Sequence, residues 1–168
     1  ARHSLKDGGE DGLAQFNERI MALAGGHDLL TRRSWEGADL GELVLEALQP
    51  YATQVSVDGP PTPLAPNAAV ALAMIFHELA TNASKYGALS TDEGKIEICW
   101  SHEGRSRLTL TWQERGGPHT HPPVRKGFGS RLITSSLRGD LAGTATFDYA
   151  PEGLTCVFTL QTPTRAIP

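Results

Sequence analysis

The sequence predicts an α/β (α+β) sandwich: a mixed, mostly antiparallel sheet with helices on one face. Three observations carry that reading. Two alternating segments, Ile96-Ile98-Trp100 and Leu108-Leu110-Trp112, are joined through His102-Glu103-Gly104-Arg105 and read as an antiparallel hairpin. A long helical stretch begins near Pro66, with Leu72, Ile75, Leu79, Ala83 and Tyr86 at three- and four-residue spacing. Two further alternating segments, about Thr144 to Tyr149 and Leu154 to Gln161, close the chain behind a helix opened by glycines.

Taken in order, residues 12–31 carry Leu13, Phe16, Ile20, Leu23, His27 and Leu30 at alternating three- and four-residue spacing. That is a heptad seam, so the helix is expected to need a partner, either an upstream helix or a second copy of the chain. His27 lies on the seam among apolar neighbours and is expected to be packed rather than reactive. Asp39 is positioned to cap a second helix running to about Leu48 and ended by Pro50. A short strand, Thr53 to Val57, precedes a turn at Asp58-Gly59-Pro60-Pro61.

The central helix ends in His77-Glu78-Leu79-Ala80-Thr81-Asn82-Ala83-Ser84-Lys85-Tyr86-Gly87. Glu78, Asn82 and Lys85 fall at i, i+4 and i+7, so a carboxylate, an amide and an ammonium share one helix face. Oxygen donors suit a hard metal such as magnesium, and lysine suits phosphate. Taken alone the pattern is also what ordinary solvated charges produce. Two later stretches change the balance.

In the second strand of the hairpin, Leu108, Leu110, Trp112 and Glu114 share parity, so Glu114 is expected to end the strand on its buried side. A buried carboxylate needs a donor, which a structural arginine or the exocyclic amine of a purine could supply. Gly116 and Gly117 follow and allow a ligand or another backbone segment to approach. Lys126-Gly127-Phe128-Gly129-Ser130 then opens a helix with Leu132, Ile133 and Leu137 on its apolar side. Glycines at a helix start present amides and the positive dipole end, which suits phosphate. Gly127-x-Gly129 is not a dinucleotide fingerprint, because no strand runs directly into it and Leu132 stands in place of a third glycine.

Composition narrows the classes further. Fifteen basic against nineteen acidic residues give a net charge of -4, and no basic run or interleaved aromatics suggest a nucleic-acid surface. Cys99 and Cys156 lie in strands without metal-ligand spacing, which fits reduced thiols in a cytosol. His119 and His121 have no third ligand nearby in sequence and read as an exposed loop. The apolar run Ala68 to Phe76 falls short of the roughly 20 residues a bilayer requires, so no membrane contact is expected here. The chain opens at Ala1 without a signal-peptide pattern and is expected to be a piece of a longer protein.

The string His77 to Ser90, Trp112-Gln113-Glu114 to Pro118, and Gly127 to Leu132 together resemble the catalytic region of HWE-type sensor histidine kinases, a branch of the GHKL superfamily. The resemblance runs from about Gly12 to Leu160, with His77 and Trp112-x-Glu114 as the residues behind the family's name. It implies a Bergerat-type ATP-binding fold preceded by one helix of a dimerisation hairpin. Residues 1–33 would be that partial dimerisation and phosphotransfer helix, 34–163 the catalytic ATP-binding domain, and 164–168 a tail. ATP and Mg2+ are the implied cofactors.

By motif position Asn82 would ligate magnesium, Glu78 would assist it or orient a water, and Lys85 and Tyr86 would lie at the nucleotide. Glu114 would take the adenine amine with Gly116 beside the base, and Gly127, Phe128, Gly129 and Ser130 would receive the phosphates. His77 is counted with Glu78 and Asn82 in the catalytic set, though no physical role beyond supporting Glu78 follows from the sequence. The segment Pro118 to Lys126 would form a short lid.

The implied activity is transfer of the ATP γ-phosphoryl group to a histidine, then to a response-regulator partner, in the cytoplasm. No His-Arg-x-x-Asn acceptor motif is present, so the acceptor would lie outside this chain. Homodimerisation through the 12–31 helix is implied as well. Two other readings stay open at this point. One is a serine kinase or ATPase of the anti-sigma-factor or chaperone type on the same fold. The other is a dimeric partner-docking module without catalysis.

Overall fold

The structure is a computed structural model describing residues 38–104, 106–122, 128–139 and 141–161, with the side chains of 128–132 left aside. The expected seam helix with His27, Lys126, Gly127 and the 164–168 tail lie outside the described residues.

The first elements are β1 (Ala38–Asp39), α1 (Leu40–Ala47) and a 3-10 turn, Gln49–Tyr51. Asp39 caps α1 as expected: its Oδ1 accepts the Gly41 amide at 2.9 Å. Its other oxygen accepts the Thr62 amide at 2.7 Å, so one carboxylate joins the helix start to a segment 23 residues away. That junction contains a two-stranded ladder, β1 with β3 (Pro63–Leu64), which the sequence does not announce. Strands of two residues are too short for an alternating pattern to register.

The main sheet has five strands in the order β2-β4-β5-β7-β6, comprising β2 (Val55–Asp58), β4 (Lys95–Glu103), β5 (Arg107–Arg115), β6 (Thr144–Ala150) and β7 (Gly153–Gln161). The β2–β4 pair is parallel, with Val55 opposite Ile96, and every other pair is antiparallel. Strand β2 lies two residues later than the Thr53 start expected, because residues 52–54 form a turn. Between β2 and β4 run β3, α2 (Pro66–Tyr86) and a 3-10 turn, Ala88–Ser90. Helix α3 (Phe128–Arg138) joins β5 to β6.

Alternation places Ile96, Ile98 and Trp100 of β4, Leu108, Leu110 and Trp112 of β5, and Cys156, Phe158 and Leu160 of β7 on one buried face. Against it pack Leu72, Ile75, Phe76, Leu79 and Ala83 of α2, with Ile133 and Leu137 of α3. The opposite face carries Glu97, Cys99 and Ser101, all exposed, as helices on one side only require. The register of the β4–β5 hairpin pairs Trp112 with Ile98 and Glu114 with Ile96, which carries Glu114 to the end of the buried face.

Tyr86 departs from expectation. The helical spacing puts it on the core stripe, yet it is 73% exposed. The chain turns at Gly87, and the next core position after Ala83 is filled by Ala88, 1% exposed, from the 3-10 turn.

Candidate functional site

The site is built where α2 ends. Going down the helix, Glu78 is buried, while Asn82 and Lys85, one and two turns further on, are exposed. His77 is half-buried on the adjacent side of the same turn. The face expected from spacing therefore exists, sinking into the protein at its carboxylate end and opening at its amide and ammonium end.

Glu114 arrives at the end of that helix from β5. It is 2% exposed, as its strand parity demands. The donors differ from the two considered from sequence, since neither an arginine nor a ligand is needed to satisfy it. Trp112, two residues earlier on the same face, donates its indole N–H to Oε1 at 3.0 Å. The Ala88 amide donates to Oε2 at 2.9 Å. Each carboxylate oxygen has two acceptor sites, so one on each oxygen remains. Burial pushes the Glu114 carboxyl above its ordinary value, and the Ala88 and Trp112 bonds pull in the opposite direction.

Close backbone packing makes this arrangement possible. A Cβ on Gly87 would lie 2.1 Å from Glu114 Oε2, so the carboxylate occupies the space a side chain would need. Gly117 is packed equally tightly, its absent Cβ 2.7 Å from the Ala88 nitrogen. Gly116 has φ +74, a conformation that favours glycine, and its absent Cβ would meet the Glu93 carbonyl at 2.9 Å. Of the two approaches glycines 116 and 117 could permit, that of another backbone segment is therefore realised. The loop between α2 and β4 is the segment concerned. Thr91 Oγ1 donates to the Gly116 carbonyl at 2.9 Å, and Gln54 Nε2 donates to the carbonyls of Thr91 and Gly94 at 2.8 and 2.9 Å.

On the far side of Glu114, Tyr149 of β6 and Cys156 of β7 sense its charge. Burial, then Cys156 and Glu114, push the Tyr149 phenol up, and burial with Glu114 pushes the Cys156 thiol up. The segment after Gly117 is tied back to the β6–β7 turn, since the Thr120 hydroxyl donates to the Ala150 carbonyl.

The structure thus brings the end of α2 and Glu114 together through Gly87 and Ala88. Helix α3, whose first turn contains Phe128, Gly129 and Ser130, packs against α2 and β6. Gly127 and the side chains of Phe128 and Ser130 fall outside the described residues. His119 and His121 are exposed, and among the described residues no group of three or more His, Cys, Asp or Glu could hold a metal ion by itself. Trp112, Gly87 and the Ala88 amide are the residues whose part in the site sequence reasoning missed. The shared parity of Trp112 and Glu114 was the available signal, because residues i and i+2 of a strand stand side by side.

Comparison with known proteins follows the same lines. Residues 1–61 match the family described as HWE histidine kinase. A blue-light-activated histidine kinase of Brucella anthropi is 36% identical over 146 residues, covering 83% of this chain and 30% of the relative. This chain thus spans about a third of that protein's length. In fold, it is similar to the histidine kinase domain of the Erythrobacter litoralis EL346 blue-light-activated histidine kinase, with a TM-score of 0.69 at 17% identity, covering 87% of this chain and 74% of that one. Full-length ShkA, solved in complex with AMPPNP, gives a TM-score of 0.56 at 18% identity over 94% of this chain and 39% of that one. The mixed five-stranded sheet under α1, α2 and α3 is the fold of histidine kinase catalytic domains, and in sequence the chain is similar to histidine kinases of the HWE type.

Proposed function

We propose that this chain is the ATP-binding catalytic region of a two-component sensor histidine kinase, transferring the ATP γ-phosphoryl group to a histidine outside the chain. A response regulator is the partner that then receives the phosphoryl group on an aspartate, and the cytoplasm is the compartment. The observation that carries this reading is the meeting of a buried carboxylate, Glu114, with the end of a helix that exposes Asn82 and Lys85. The AMPPNP complex of ShkA supports nucleotide binding by the shared fold.

In this reading Glu114 accepts the exocyclic amine of adenine on an acceptor site not used by Trp112 or Ala88. Asn82 and Glu78 offer oxygen donors from one helix face, the donor set a hard divalent cation takes. Magnesium held there would neutralise charge on the phosphate oxygens. Lys85 reaches phosphate as a point charge, and the first turn of α3, with Phe128, Gly129 and Ser130, meets the phosphates with backbone amides, joined by Gly127, which precedes it in sequence. Tyr86, being exposed beside Lys85, borders the nucleotide. His77 stands next to Glu78 and supports its side of the helix. The chain's contribution is positioning and charge neutralisation, which is what phosphoryl transfer asks of a protein. No helix among the described residues is long and apolar enough to cross a membrane.

The test is thermal unfolding with and without Mg-ATP. Ligand at 100 times its dissociation constant stabilises by about 2.7 kcal/mol. The wild type is expected to shift and Asn82→Ala to lose the magnesium-dependent part with its fold intact. An unshifted wild type would favour a docking module without catalysis.

A further inference from the structure

We propose that Trp112 is a positioning residue for adenine recognition: its indole N–H fixes one oxygen of Glu114 while the Ala88 amide fixes the other, holding the carboxylate in one orientation for a purine amine. The proposal rests on the reading of Glu114 as the adenine-facing acceptor and adds to it the device that makes a glutamate serviceable there.

A glutamate side chain has three rotatable bonds, and a recognition carboxylate that wanders loses directional hydrogen bonding to its ligand. Here both oxygens are pinned, at 3.0 Å by Trp112 Nε1 and at 2.9 Å by the Ala88 nitrogen. The pin on Oε1 is itself immobile, because Trp112 is fully buried between Ile98 of β4 and Cys156 of β7, its register partners. The pin on Oε2 exists because Gly87 lacks a Cβ, which would otherwise stand 2.1 Å from that oxygen.

The same bond has a second consequence. Burial disfavours the charged carboxylate, and the indole N–H is one of two donors that favour it. Among the described residues, the other titratable groups shifted by Glu114 are Tyr149 on β6 and Cys156 on β7, both moved upward and therefore neutral near pH 7. Neither supplies a positive charge that could replace the indole.

Trp112→Phe keeps an aromatic ring in the core and deletes the N–H. Binding of Mg-ATP and of Mg-ITP, which carries oxygen in place of the 6-amino group, is measured for wild type and variant, together with an NMR titration of the Glu114 carboxyl carbon without nucleotide. The expected result is an ATP-to-ITP preference in the wild type that falls by about tenfold in the variant, the worth of one hydrogen bond, and a Glu114 midpoint moved to higher pH. Binding of inorganic triphosphate stays unchanged. A folded variant that keeps both the preference and the midpoint overturns the proposal and leaves the adenine reading standing. A wild type that binds ATP and ITP alike overturns both. Should the variant unfold, the wild-type indole N–H resonance of Trp112 decides: it moves as Glu114 titrates and on addition of ATP, and a resonance indifferent to both refutes the role.

Discussion

Replacing Gly87 with alanine tests the packing at the heart of the site. Gly87 has φ -118 and ψ -150, an extended conformation that alanine adopts freely, so no backbone strain is introduced. By itself the substitution would even stabilise by roughly 0.4–1 kcal/mol through a less flexible unfolded chain. The new Cβ, however, would stand 2.1 Å from Glu114 Oε2 and 3.0 Å from the Ala83 Cα, so the carboxylate has to leave. Its departure breaks the 2.9 Å bond from the Ala88 amide, and a hydrogen bond to a charged group is worth about 1.5–3 kcal/mol. Forcing the displaced carboxylate against a closed core adds to this, so a net loss of about 2–3 kcal/mol is expected. For a chain of this size that lowers Tm by roughly 4–12 °C.

Thermal unfolding at pH 7 measures the effect, with Gly104→Ala as the comparison. Gly104 has φ +67 and nothing within 4 Å of its absent Cβ, so its substitution costs only the left-handed backbone, about 1 kcal/mol. Gly87→Ala is expected to be the more damaging of the two. In a Glu114→Ala background the alanine at 87 should cost clearly less, since the obstructing carboxylate is gone and only the 3.0 Å approach to the Ala83 Cα remains. If Gly87→Ala matches the wild type in stability, or costs the same with and without Glu114, the packing argument is wrong.

Three other predictions concern separate parts of the molecule. The Glu114 carboxyl sits above its ordinary value of 4.5, so the folded chain binds that proton more tightly than the unfolded one. The resulting stabilisation is full below about pH 4.5 and is lost as pH rises through the folded value. Urea titrations should therefore show wild type losing stability relative to Glu114→Gln between pH 4.5 and 7, and a pH-independent difference would contradict this. Cys99 is exposed and Cys156 buried, so a thiol reagent should label Cys99 in native buffer and Cys156 only on unfolding; equal native rates would be inconsistent with the sheet facing. Thr62 is buried, its hydroxyl lying 3.1 Å from the Trp100 indole nitrogen and 3.0 Å from His102 Nε2. Thr62→Val should cost about 1–3 kcal/mol in urea unfolding by removing the hydroxyl that joins His102 to the Pro60 carbonyl, while the Trp100 indole keeps its 2.9 Å bond to that carbonyl, and a change within 0.5 kcal/mol would mean the cluster is dispensable.

What the sequence determined by itself is what local periodicity can encode. Period-two alternation located β4, β5, β6 and β7 and turned Glu114 inward, and helical spacing with proline and Asp39 signals located α1 and α2. The strings His77 to Ser90, Trp112 to Pro118 and Gly127 to Leu132 together pointed to the family to which the relatives belong. Tertiary structure alone brought the Ala88 amide to Glu114, because Ala88 is 26 residues away and its approach depends on sheet register and on where α2 stops. It also decided that Tyr86 leaves the core, that β2 runs parallel to β4, and that Gly87, Gly116 and Gly117 serve contacts between backbone segments. A repeating pattern states which face a residue occupies. What stands opposite that face is fixed only when distant segments are closed against one another.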